Sequence, residues 1–191
     1  MNCLCGPASH RIYYDIREDP ETALLNGPGG SKYSLDLLLD KPVTAPVQLP
    51  SITLISTAFP WSIDVKNESG VTLGDVLRTL HTAFMHLVTE GEYWSISDEQ
   101  RAHIVATYNR NYQATLPPGG PKSIIGYGGA LAPLLSKPRD SKGGILRVDW
   151  LLEQTVFLGL EKNDLFAIVR LPTLKDRSHV WTVTLGPNDT K

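Results

Sequence analysis

Residues 59–88 announce a strand, a turn and a helix in one unbroken stretch, which restricts the chain to folds where a sheet and a helix share a core. Trp61, Ile63 and Val65 alternate with Ser62, Asp64 and Lys66, the period of a half-buried strand with Asp64 on its solvated face. Residues 67–70 are polar and turn-forming. Thr72 then stands three residues before Asp75, the spacing at which a cap hydroxyl and an acidic side chain satisfy each other's free backbone N–H groups. Val71 and Val76 flank that cap at the positions of a hydrophobic staple. Leu73, Val76, Leu77, Leu80, Phe84, Leu87 and Val88 recur at three and four, predicting an amphipathic helix through Val88.

The capping signal recurs twice. Thr89 with Glu92 predicts a short helical turn, and Ser97 with Gln100 opens a helix whose stripe is Ala102, Val105, Tyr108 and Tyr112. Residues 11–16 and 51–57 read as strands, and residues 26–31 as a loop. Residues 34–50 read as an extended segment, because Pro42, Pro46 and Pro50 interrupt any long helix or central strand. Beyond residue 144, apolar segments at 145–152, 156–160, 165–171 and 179–185 are separated by turn residues, with residues 161–164 read as a hairpin turn. Residues 149–154 fit a helical turn capped by Asp149 equally well. The expected fold is α+β: a mostly antiparallel sheet covered by a pair of helices in a single domain over residues 11–187. A disordered tail at 1–10 precedes it, and a Gly/Pro-rich insertion at 117–144 interrupts it.

At 191 residues with 41% hydrophobic content, the chain is long enough for one well-buried core. A net charge of −2 gives no electrostatic footprint for nucleic acid. No apolar run reaches the eighteen or so residues of a membrane span, and no basic-then-apolar leader opens the sequence, so the expected setting is the cytoplasm, with the nucleus as the alternative. Cys3 and Cys5 are too close for an easy disulfide and read as free thiols; position 2 is Asn, not the Gly that N-myristoylation needs.

Several phrases, in order, carry a family resemblance. They are Tyr14-Asp15-Ile16, the run from Pro46 to Leu54, Pro60-Trp61, the run from Val71 to Leu77, Glu92-Tyr93, the run from Arg147 to Leu151, and Phe157 with Gly159-Leu160. Across roughly residues 11–185 the chain resembles a family of fungal domains, abundant in mushroom-forming fungi, that carries only an unknown-function label. The resemblance implies one intact domain and no established activity, and it places the Gly/Pro-rich stretch where the family varies in length.

Candidate chemistry is sparse. His81 and His86 lie five apart, which turns their rings about 140° from each other on a helix and disfavours a shared metal. No metal site and no cofactor is expected. Asp149, between Arg147 and Trp150 in an apolar segment, is either a general acid or base raised by burial or a structural cap. Gly126-Tyr127-Gly128-Gly129 lacks the lysine of a phosphate-cradling loop. Four tryptophans with Tyr108 and Tyr112 read as core in preference to a stacking platform. The leading expectation is a non-catalytic protein-binding or scaffold module that presents a sheet edge or the 117–144 loop, with Tyr127, Leu131, Leu134 and Leu135 as its contacts. Its partner is another protein or a second copy of the chain. The alternative is a small phosphodiester or ester hydrolase using Asp149, His81 and Arg78; a third reading is a small-ligand pocket between the helices and the sheet.

Overall fold

The computed structural model describes residues 11–26, 31–114 and 144–188. The chain falls into two compact units, one of residues 1–83 with 153–191 and the other of residues 84–152. The architecture is α+β around a mostly antiparallel sheet, as the sequence predicts.

The first unit holds the sheet. Its strands are β1 (Arg11–Asp15), β2 (Leu24–Asn26), β3 (Lys32–Ser34), β4 (Ser51–Ile55), β5 (Ile63–Lys66), β6 (Val156–Glu161) and β7 (Val180–Gly186), in the order β3-β2-β1-β6-β7-β4-β5. Every pairing is antiparallel except β4 with β7, where Thr53, Leu54 and Ile55 face Val180, Trp181 and Thr182 in parallel. Alternation sets the faces: Ile63 and Val65 of β5 are buried while Asp64 and Lys66 are exposed. A bulge between Phe157 and Gly159 interrupts β6, and Gly159 supplies the positive φ of +145° there. Between β3 and β4, the Pro-punctuated segment contains one helical turn, α1 (Asp36–Leu39), before Pro42. The β2–β3 pair was not foreseen, since strands of three residues are too short to show alternation.

The main helix of this unit, α2 (Leu73–Phe84), follows β5 and buries Leu73, Val76, Leu77, Leu80 and Phe84, the predicted stripe. Its start is the predicted capping box. Asp75 Oδ2 accepts from the Thr72 N–H at 2.9 Å, the Thr72 hydroxyl at 2.8 Å and Asn67 Nδ2 at 2.7 Å, while the Asp75 N–H donates to Thr72 Oγ1 at 3.2 Å. Burial is the largest influence on this carboxyl and acts upward, but the bonds from Asn67 and Thr72 and the charge of Arg78 outweigh it and hold it below its ordinary value. The cap is therefore fully effective above the ordinary value of 3.8 and is lost as pH falls through the lower folded value. Asp75→Ala is expected to cost about 1 kcal/mol at neutral pH. Melting curves of variant and wild type are expected to converge below about pH 4; parallel curves down to about pH 2 would contradict the assignment.

The helix stops at Phe84, one turn short of the predicted Val88. Residues 86–88 leave the helix because their backbone groups pair elsewhere: Leu87 bridges Leu146, the Val88 N–H donates to Ile145 O, and His86 O accepts from Arg147 N. These contacts belong to the second unit. There α3 (Glu90–Trp94) carries the predicted Thr89–Glu92 box, and α4 (Asp98–Ala114) opens with the Ser97–Gln100 box. The buried face of α4 is rotated from the predicted one: Ile104, Thr107 and Tyr108 point inward and Ala102 is exposed. Val88, Tyr93, Ile104, Tyr108 and Ile145 form this unit's core, with Ile96, Val105 and Trp150 packed against it. The turn around Asp149 is helical, α5 (Arg147–Trp150).

The segment after β6 departs from expectation. It is a helix, α6 (Asp164–Arg170), joined to the end of β6 by Lys162 and Asn163, so residues 161–164 do not form a hairpin turn. The Asn163 side chain accepts the Phe166 N–H at 3.0 Å and so starts the helix.

Candidate functional site

In the sheet unit, α6 is held on one face and bare on the other. Its inner face places Ala167 and Phe166 against Ile55 of β4 and Val180 of β7, with Leu171 and Leu174 beside them. Opposite Ala167 on the helical wheel lie Leu165, Ile168 and Val169, within about a 100° arc. They are 79%, 49% and 78% exposed. Single exposed apolar residues are ordinary, but three at i, i+3 and i+4 make a contiguous stripe.

Both ends of α6 are fastened by cations. Lys162 Nζ donates to the main-chain carbonyls of Arg177 (3.3 Å), Ser178 and Val180 (2.7 Å) and lies 4.8 Å from the centre of the Trp181 ring. Burial pulls this ammonium below its ordinary value, against the opposing influence of Asp164 and Asp176. At the other end, Arg177 Nη2 donates to Leu171 O at 2.8 Å and Pro172 O at 3.2 Å, where the helix dipole favours positive charge. Arg170 Nη2 reaches Phe59 O at 3.3 Å. Lys175 is exposed on the connection to β7. Among the described residues, ion pairs fall elsewhere, at Arg17–Asp15, Arg78–Asp75, Arg101–Asp98 and Arg147–Glu92.

The residues singled out for a hydrolase are divided between the two units. Asp149, fully buried in the second, accepts from Leu146 N at 2.9 Å through Oδ2 and from Asn111 Nδ2 at 2.8 Å through Oδ1. His81, on α2 of the sheet unit, donates through Nδ1 to Ile16 O at 2.9 Å. Arg78 is half exposed and lies 3.8 Å from Asp75. Tyr127, Leu131, Leu134 and Leu135, with the whole 117–143 part of the insertion, lie outside the described residues. The aromatic residues are dispersed: Trp61 stacks on Phe59, Trp94 lies under Arg101, Trp150 borders the second core and Tyr108 is buried in it. Among the described residues no group of three or more His, Cys, Asp or Glu is placed to hold a metal ion, and no helix is long and apolar enough to cross a membrane.

Read as a strand, 165–171 divides Leu165, Ile168 and Val169 between two faces, which hides the α6 stripe. The signal was present: Asn163 at a cap position precedes apolar residues on every side of a seven-residue helix, more than one face can bury.

Fold and site together define a small α+β protein built on a sheet that has seven strands among the described residues, with an apolar helix face turned outward. Residues 12–166 match the model of a family described as a family of unknown function (DUF6699), and the chain belongs to that family. Neither the curated proteins nor the solved structures contain a match. The family match ends at Phe166, so Ile168 and Val169 of the stripe lie just past it.

Proposed function

We propose that this protein is a non-catalytic protein-binding module and that its docking surface is the outward face of α6. The exposure of Leu165, Ile168 and Val169 on a helix otherwise fastened to the sheet carries the reading. Of the two surfaces foreseen for a partner, residues 117–143 of the loop lie outside the described residues, and a sheet edge is less suited. The outermost strands β3 and β5 have only three and four residues, with exposed Lys32 on one and exposed Asp64 and Lys66 on the other, features that discourage strand addition. The hydrolase reading has less support, since each Asp149 oxygen already holds a donor. The resemblance to fungal domains supports a fungal source, and a complement of only two cysteines fits a cytoplasmic setting.

The double variant Leu165→Ser/Val169→Ser tests the reading. Both side chains are exposed, so its melting temperature is expected to stay within about 2 °C of wild type. In quantitative affinity capture from source-cell extract, the proteins enriched on wild type are expected to fall at least about tenfold on the variant. Equal capture on both would sink the proposal.

A further inference from the structure

We infer that the corner of the sheet formed by Arg11–Tyr13, β2 and β3 opens as a unit of its own, and that Asn188 latches it through Tyr13. The sheet divides inside β1. Arg11, Ile12 and Tyr13 pair with Asn26, Leu25 and Leu24 of β2, whereas Tyr14 and Asp15 pair with Phe157 and Val156 of β6. The bulge after Phe157 carries β6 away at that point, so among the described residues no ladder joins the first half of β1 to β6.

Burial changes at the same place. Tyr14, Ile16, Ala23 and Leu35 are buried, and the Leu35 N–H donates to Ala23 O at 3.3 Å, closing the base of the β2–β3 pair. Beyond that base Ile12, Tyr13 and the three residues of β2 are only half-buried, and all of β3 is exposed. Short strands that bury no face are marginal in water. A segment with few buried apolar contacts and solvent-exposed backbone bonds opens at a lower free energy than the core.

Tyr13 ties the corner to the rest of the sheet unit. Lys32 of β3 sits 5.5 Å from the centre of its ring, and its hydroxyl donates to Asn188 Oδ1 at 3.3 Å. Asn188 is itself fixed twice: its N–H donates to Glu153 O at 3.1 Å, and its Nδ2 donates to Asp15 Oδ2 at 2.7 Å, which sets the plane of the amide that meets Tyr13. Gly186 of β7 faces Val156, and Val156 faces Asp15. Asn188, two residues past Gly186, therefore reaches across the start of β6 to the strand beyond it. The latch joins the corner to the end of β7, a strand with which the corner shares no ladder.

Native-state hydrogen exchange of the full-length protein tests this on wild type, Tyr13→Phe, Asn188→Ala and Asp75→Ala. A substitution speeds exchange only in segments whose opening breaks the bond it removes. Asp75 caps α2, outside the corner, so Asp75→Ala is expected to speed the amides of β4 and α2 and to leave those of β2, Ile12 and Tyr13 at the wild-type rate. Tyr13→Phe and Asn188→Ala both remove the latch, and each is expected to speed the corner amides about two- to tenfold. Acceleration of the corner by Asp75→Ala equal to that of β4 means that it opens only with the whole unit, and overturns the inference. Corner rates unmoved by the two latch variants, or moved by only one of them, overturn the role given to the Tyr13–Asn188 bond.

Discussion

Replacing Asp149 by alanine is expected to lower stability by about 3–5 kcal/mol, a large part of what a domain of this size has. The carboxylate is fully buried, and its removal strands the Leu146 N–H at the start of α5 and the Asn111 amide on α4, both of which point at it. A buried donor without an acceptor costs about 1–3 kcal/mol. Asp149→Asn is expected to be much milder. Its amide oxygen still accepts from Leu146, and a flipped Asn111 then presents its own oxygen to the new amide nitrogen. Equilibrium urea unfolding of the two variants decides the matter: near-equal losses, or a loss under about 1 kcal/mol for alanine, would contradict the structural role.

Asp15→Ala is expected to cost about 3–4 kcal/mol, because that carboxylate ties together three distant parts of the sheet unit. It accepts from the Arg17 backbone N–H at 3.0 Å and Arg17 Nη2 at 2.6 Å. It also accepts from Thr155 Oγ1 just before β6 at 3.1 Å and from Asn188 Nδ2 just after β7 at 2.7 Å. Thr155 is itself buried, so its hydroxyl has no water to turn to. The hydrogen bond to Asp15 raises the Arg17 guanidinium above its ordinary value despite partial burial. Arg17 is nevertheless over a third exposed, and Arg17→Ala is expected to cost only about 0–1 kcal/mol. If both variants lose the same stability in urea, the knot is an Arg–Asp pair and nothing more.

What the sequence showed plainly was what neighbours in the sequence decide. The three capping boxes depend on residues three apart, and all three appear with the predicted partners. The Trp61 segment's alternation survives as the buried and exposed faces of β5. What failed depends on distant partners or on too few residues. Nothing near Thr53 signals its parallel pairing with Val180. Leu87 leaves its helix because Leu146, far along the chain, offers its backbone an alternative. Nothing near Asp149 in the sequence signals that Asn111, 38 residues earlier, donates to it. The α6 segment fits both periods over seven residues, and a single Asn cap settles it as a helix. The candidate site follows from that one choice, because only a helix turns Leu165, Ile168 and Val169 to the same side.

Site-specific photo-crosslinking in source cells tests the docking claim most directly. A benzophenone amino acid at Val169 is compared with one at Glu99, an exposed position on α4. The account predicts a discrete adduct of higher mass from position 169 and none from position 99. No adduct at 169, or the same adduct from both positions, would contradict it.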